Sequence, residues 1–165
     1  MGSYFVCIPS RAVHLEPLQG MDIYSFRLVL TRFTSIRGTC TTILSDQSTN
    51  FIGARNQKIN VDLTKITHEL SQKGIEWKIN PSLASHFNGC IERKIASVRR
   101  VLEVTLLLMR NRGVSRDEFT TMLAEAASIV NNTPLWAVFT RPDDPAHLSS
   151  AHLLTLHEQP NPAPL

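Results

Sequence analysis

Apolar and polar residues along this chain follow two rhythms, a period of two and a period near 3.6. Tyr4 to Ile8 is a short apolar and aromatic run that stops at Pro9-Ser10-Arg11, the pattern of a buried strand entering a turn. Ala12 to Glu16 reads as the returning strand of a hairpin, ended by Pro17. Asp22 suits the N-cap of a helix reaching about Ile36, because Ile23, Phe26, Val29, Leu30 and Phe33 recur at helical spacing. Gly38 is placed to stop it. Thr41 to Leu44 is a four-residue strand-type run, followed by the polar loop Ser45 to Asn50. A weaker helical pattern covers about Ala54 to Lys73 and ends at Gly74. Ile75 to Ile79 alternates at period two and is the clearest strand. After Asn80-Pro81-Ser82, and a polar loop from Ser85 to Gly89, a long helix is expected from about Asn88 to Arg112. Its apolar stripe is Ile91, Ile95, Val98, Leu102, Leu106 and Met109. Ser115 with Glu118 three residues on forms a capping box, opening a last helix to about Asn131.

The order is strand, strand, helix, strand, helix, strand, helix, helix. That is a mixed α/β pattern, a hairpin first and alternation afterwards. The prolines mark a change beyond it, since six of the nine lie in the last 32 residues. We therefore divide the chain into a domain over 1–140 and a Pro-rich, extended tail over 141–165.

Composition narrows the classes. A chain of 165 residues with 42% apolar and 19% charged residues can bury a core, and disorder throughout is excluded. No apolar run nears the ~20 residues of a bilayer crossing, and no membrane partner is expected. The start shows no secretory pattern, and Val6 stands where myristoylation of Gly2 would favour Ser or Thr. Three cysteines without a Cys-x-x-Cys pair argue against a disulfide framework or a cysteine zinc site. A reducing compartment, nuclear or cytoplasmic, is expected.

Two acids stand out by position. Asp46 follows the end of a short apolar strand, and Glu92 lies in the first turn or two of the long helix. Strand ends and helix starts are where α/β folds place reactive groups. Two carboxylates brought together there can hold Mg²⁺ or Mn²⁺, hard ions that leave positions open for phosphate and water. Position alone favours the ordinary reading, in which Asp46 caps a turn and Glu92 complements the helix dipole. His147, His152 and His157 recur every five residues in the tail, but no cysteine or second shell is evident with them, so no metal site is expected there. Cys90 is expected to pack as a small apolar residue.

The local sequence resembles a family. Ser45-Asp46-Gln47-Ser48-Thr49-Asn50-Phe51 is similar to the S-D-x-G-T-x-F signature of retroelement integrase cores. Ala84 to Arg93, reading A-S-H-F-N-G-C-I-E-R, resembles the A-P-H-F-G-G-x-W-E-R signature of the BEL/Pao branch of retrotransposons. Arg11 to Glu16 (R-A-V-H-L-E) and Ile129 to Leu135 resemble two further segments of that branch. Pro142 to Pro145 and Ala151 to Leu154 resemble its closing segment. These similarities are collinear over about residues 4–156.

The resemblance implies a ribonuclease H-like mixed sheet flanked by helices. It also implies a triad of two Asp and one Glu holding two divalent metals, in an enzyme that trims DNA ends and joins them to target DNA. Asp46 falls on the second Asp and Glu92 on the Glu, which makes both the expected catalytic and metal-binding residues, with Mg²⁺ or Mn²⁺ as cofactor. No residue matches the first Asp, which the family carries on a strand before the hairpin. The expectation is an integrase core lacking its first strand and inactive alone. Glu16 or His14 could substitute only by reaching from the next strand.

Basic residues gather after Glu92. Arg93, Lys94, Arg99, Arg100, Arg110 and Arg112 face only Glu92 and Glu103 in that segment, an excess above the +3 of the whole chain. With Arg93 and Arg100 seven apart on one helical face, the segment suits DNA phosphates. Arg93, Lys94, Arg99 and Arg100, with His86 and Asn88 before them, form the expected DNA-binding set. A homodimer is the other expected partnership, through the stripe Phe119, Met122, Leu123 and Ala126, which core packing would equally explain. The alternative function is a non-catalytic DNA-binding or dimerisation module.

Overall fold

The computed structural model describes residues 2–20, 22–46, 57–80, 85–109, 113–135 and 148–155. They fall into two compact units, Leu18–Asn88 and the pair of segments Gly2–Pro17 and Gly89–Leu165.

The first unit is built on two parallel strands and two helices. Strand β3 (Thr42–Asp46) pairs with β4 (Glu76–Asn80) in register from Thr42 opposite Glu76 to Asp46 opposite Asn80. A parallel pair needs a crossover, and helix α2 (Gln57–Gln72) lies on it in sequence. Helix α1 (Ile23–Arg37) precedes them, capped by Asp22, whose carboxylate accepts the Ser25 backbone N–H. Gly38 and Gly74 close α1 and the α2–β4 turn at φ 84° and 72°, a region that a side chain would strain. Among the described residues the buried apolar side chains of this unit are Val29 and Leu30 of α1, Ile66 and Leu70 of α2, and Ile75 before β4. Burial along β4 alternates as its period-two pattern predicts, with Glu76 and Lys78 outward.

The second unit is the hairpin with the two long helices. Strand β1 (Gly2–Val6) pairs antiparallel with β2 (Val13–Pro17), Gly2 opposite Pro17 and Val6 opposite Val13. Helix α3 (Ser85–Leu108) enters this unit from Gly89 onward, and α4 (Arg116–Asn132) carries the predicted capping box of Ser115 and Glu118. The core joins Val13 and Leu15 of β2, Val98 of α3, and Leu123, Ala126 and Val130 of α4.

Asn131 fastens α4 to the hairpin. Its Oδ1 accepts the Val13 N–H at 2.8 Å, and its Nδ2 donates to the Val13 carbonyl at 2.9 Å. The amide thus completes the backbone bonds of Val13 as a neighbouring strand would.

The fold class is therefore mixed α/β as expected, though the described strands form two separate two-stranded ladders. Three local expectations need correction. The segment Ser85 to Gly89 is the start of α3 and not a polar loop, so Glu92 lies about two turns in. The stripe of α3 seats Val98 fully, but Leu106 is exposed, as are Val104 and Leu107 beside it. The tail is not wholly extended. Ser150–Thr155 forms a short helix, α5, anchored by buried Ser149, Ser150 and Ala151, and Pro134 bridges to Ser149. His152 Nδ1 accepts the Ser149 N–H at 3.1 Å, so this histidine acts in the turn that starts α5. The remaining tail residues, and the segment after Asp46 that includes Ser48, lie outside the described residues.

Candidate nucleic-acid and metal-binding residues

Asp46 is the last residue of β3, in the first unit. The strand end that carries it is held by aromatic packing. Trp77 of β4 donates its indole N–H to Ser45 Oγ at 2.9 Å and stacks on Phe26 of α1, with ring centroids 5.8 Å apart. An indole placed between an apolar ring and a hydroxyl satisfies both of its characters. The Asp46 side chain lies outside the described residues.

Glu92 is an exposed residue of α3, in the second unit, and no cation pairs with it among the described residues. An unpaired carboxylate supplies the hard oxygen donor that Mg²⁺ or Mn²⁺ prefers. The described residues contain no cluster of three His, Cys, Asp or Glu side chains of the kind that could hold a metal. His14 and Glu16, the substitutes considered for a third ligand, are turned to each other. His14 Nε2 lies 3.1 Å from Glu16 Oε1, both side chains nearly buried on β2.

The basic residues divide in two. Arg99 and Arg100 are exposed on α3. Arg93, exposed as well, and Lys94, half-buried, line a cavity of about 290 Å³, together with Ser97, Val130 and Thr133 and with Arg11 from the hairpin loop. Arg11 is the member of this group that sequence reasoning missed. It reads there as a turn residue, and the cavity forms only when α3 and the end of α4 pack beside the hairpin. The backbone of His86 and Asn88 lies in the first turn of α3, and their side chains lie outside the described residues, as do Arg110 and Arg112. The stripe offered for a homodimer is internal. Met122, Leu123 and Ala126 are buried, and Phe119 packs against the same core.

The fold is mixed α/β and is similar to that of retroviral integrase catalytic cores. Similar solved structures include three from retroviruses. The bovine immunodeficiency virus integrase catalytic core is similar at a TM-score of 0.62 and 12% identity, over 93% of this chain and 84% of that one. The HTLV-2 integrase catalytic core, solved with magnesium in a trimeric form, gives 0.58 and 12%, over 93% and 92%. A chain of the simian T-cell lymphotropic virus intasome, solved with the PP2A regulatory subunit B56 gamma, gives 0.61 and 14%. That similarity covers 99% of this chain, which spans about half (52%) of the intasome chain. No family model and no curated protein matches the sequence. Among the described residues no helix is long and apolar enough to cross a membrane.

Proposed function

We propose that this chain is an integrase-type catalytic core of a BEL/Pao-like retrotransposon that binds DNA and, on its own, does not join DNA strands. The observation that carries the reading is the surface of α3. It presents Glu92 without a cationic partner, beside exposed Arg93, Arg99 and Arg100, in a fold shared with retroviral integrase cores. Phosphates attract such a surface by releasing condensed counterions. Asp46 and Glu92 are the two residues proposed to hold Mg²⁺ or Mn²⁺. A bound ion would stabilise charge on the oxygens of a phosphoryl transfer. With two of the three carboxylates that the resemblance implies, the ligand count falls short and strand transfer is not expected. His86 and Asn88 are proposed to reach DNA from the start of α3, and work on DNA would place the protein in the nucleus or cytoplasm. Assembly into multimers, as in the HTLV-2 trimeric form and the simian virus intasome, is proposed through a surface other than the buried stripe of α4.

The test is fluorescence anisotropy of a labelled duplex titrated with the chain over a range of NaCl concentrations, with either EDTA or Mn²⁺ present. Affinity should fall steeply with salt and persist in EDTA. The double variant Arg99→Glu, Arg100→Glu should lose about tenfold or more of the affinity at low salt. Unchanged affinity in that variant would remove α3 as the DNA face. A strand-transfer product that appears with Mn²⁺ and vanishes in Asp46→Asn would overturn the expected inactivity.

A further inference from the structure

The cavity beside the hairpin loop gathers more positive charge than the fold requires. Arg11, Arg93 and Lys94 line it, and among the described residues no acidic side chain does. Neither Arg11 nor Arg93 makes an ion pair among the described residues. Arg93 donates Nε to the Gly89 carbonyl at 3.0 Å, which engages one of five N–H donors and orients the rest of the guanidinium.

The other lining groups narrow the ligand. Ser97 Oγ donates to the Arg93 carbonyl and Thr133 Oγ1 to the Ile129 carbonyl, both at 3.0 Å. Their protons are therefore spent on the helices that carry them, and the guanidinium groups of Arg11 and Arg93 remain as donors to a guest. Among the described residues no aromatic ring lines the cavity, so none of them would stack on a base or a sugar. A guest must offer acceptors and negative charge, which are the properties of a phosphate group.

The placement of Arg11 supports the same conclusion independently. It has positive φ, 59°, the one non-glycine residue of this kind among those described. Gly, Asn or Asp would be the usual occupant of such a position. The loop around it is well fixed. Arg11 N–H donates to the Cys7 carbonyl and Cys7 N–H to the Ala12 carbonyl, both at 2.8 Å. Two residues on, Val13 is gripped by Asn131, whose neighbour Val130 lines the cavity. The long cation is thus held on a rigid loop against the end of α4, at a backbone position where glycine would fit with less strain.

We infer that the Arg11–Arg93–Lys94 cavity is a phosphate-binding site that grips one backbone phosphodiester of a nucleic acid without reading its bases. The nucleic-acid source rests on the DNA-binding reading given above, whereas the phosphate chemistry rests on the cavity alone. Arg11 becomes a binding residue, and the basic surface of α3 divides into a seated contact at Arg93 and Lys94 and an open one at Arg99 and Arg100.

Arg11→Gly tests this cleanly, since it removes the charge while relieving the left-handed backbone. A urea midpoint at or above that of the wild type would confirm an intact fold. The variant and the wild type are compared with two probes, pyrophosphate by calorimetry and a labelled duplex by anisotropy. Arg11→Gly should bind both several-fold more weakly, with the slope of log affinity against log salt for the duplex reduced by about one. Arg11→Lys should recover part of the loss. If Arg11→Gly equals the wild type with both probes, the cavity is not a phosphate site. Should that equality accompany a loss of duplex binding in the Arg99, Arg100 double variant, the DNA reading stands and the cavity alone falls. Weaker pyrophosphate binding in Arg11→Gly without duplex binding by any form would keep the cavity and remove DNA as its source.

Discussion

The two strand ladders of this protein are secured by different chemistry. The β1–β2 hairpin is closed by its own loop and then pinned through a single side chain, Asn131, reaching Val13 from 118 residues away. The β3–β4 pair is parallel, with its crossover outside the strands, and is braced by Phe26, Trp77 and Ser45 within one unit. The first arrangement adds, to the apolar core that Val13 and Leu15 share with α3 and α4, two buried hydrogen bonds that both come from one side chain. The second spreads its support over stacking, one half-buried hydrogen bond and a surrounding apolar core. A concentrated support is easier to break, because a buried backbone group left without a partner costs more than a hydrogen bond contributes.

The largest effect should therefore come from Asn131→Leu, which leaves the Val13 N–H and carbonyl buried without partners. Destabilisation of about 2–4 kcal/mol is expected, read from urea denaturation. Native-state hydrogen exchange should show the loss first in β2 and α4. Equal loss in β3 and β4 would erase the distinction between the ladders. Trp77→Phe keeps a ring against Phe26 and removes only the indole bond to Ser45, so a cost of about 1 kcal/mol is expected. Exchange should then rise at β3 and β4 while the hairpin keeps its protection.

The smallest effect concerns the helix that packs in the first unit. The Ser25 backbone N–H, and then its hydroxyl, hold the Asp22 carboxyl below the usual carboxylate range. Because the folded value is lowered, the cap contributes above the unfolded value, near 3.9, and is lost as pH falls through the folded one. Amide protection at the start of α1 should fade in that acid window. Asp22→Asn, which keeps an acceptor without the charge, should flatten the pH dependence. An unchanged profile in Asp22→Asn would show that another group titrates there.

What the sequence made legible was whatever acts within a few residues. Asp22 with Ser25, Ser115 with Glu118, and the glycines at 38 and 74 all work inside one turn of chain, and each is where its local pattern predicts. The alternation of Ile75 to Lys78 likewise marks a strand that one face buries. Distant partnerships were not legible. Asn131 near a helix end reads as a terminator, because the strand edge it completes lies at the other end of the chain. Arg11 reads as a turn, because its cavity is lined from α3 and α4. The start of α3 was hidden for a different reason. Ser85, His86, Asn88 and Gly89 are weak helix formers, and the helix extends through them all the same. The carboxylates Asp46 and Glu92 were singled out by resemblance to integrase signatures, since either acid has an ordinary local explanation.

The proposed function makes Asp46 and Glu92 ligands of a divalent metal. Paramagnetic broadening by Mn²⁺ in an amide-resolved NMR spectrum of the full chain tests it most directly. Signals around Asp46 and Glu92 should broaden together at the same Mn²⁺ concentration, and Asp46→Asn should weaken the broadening at both. Broadening confined to one of the two, or at neither, would contradict the claim.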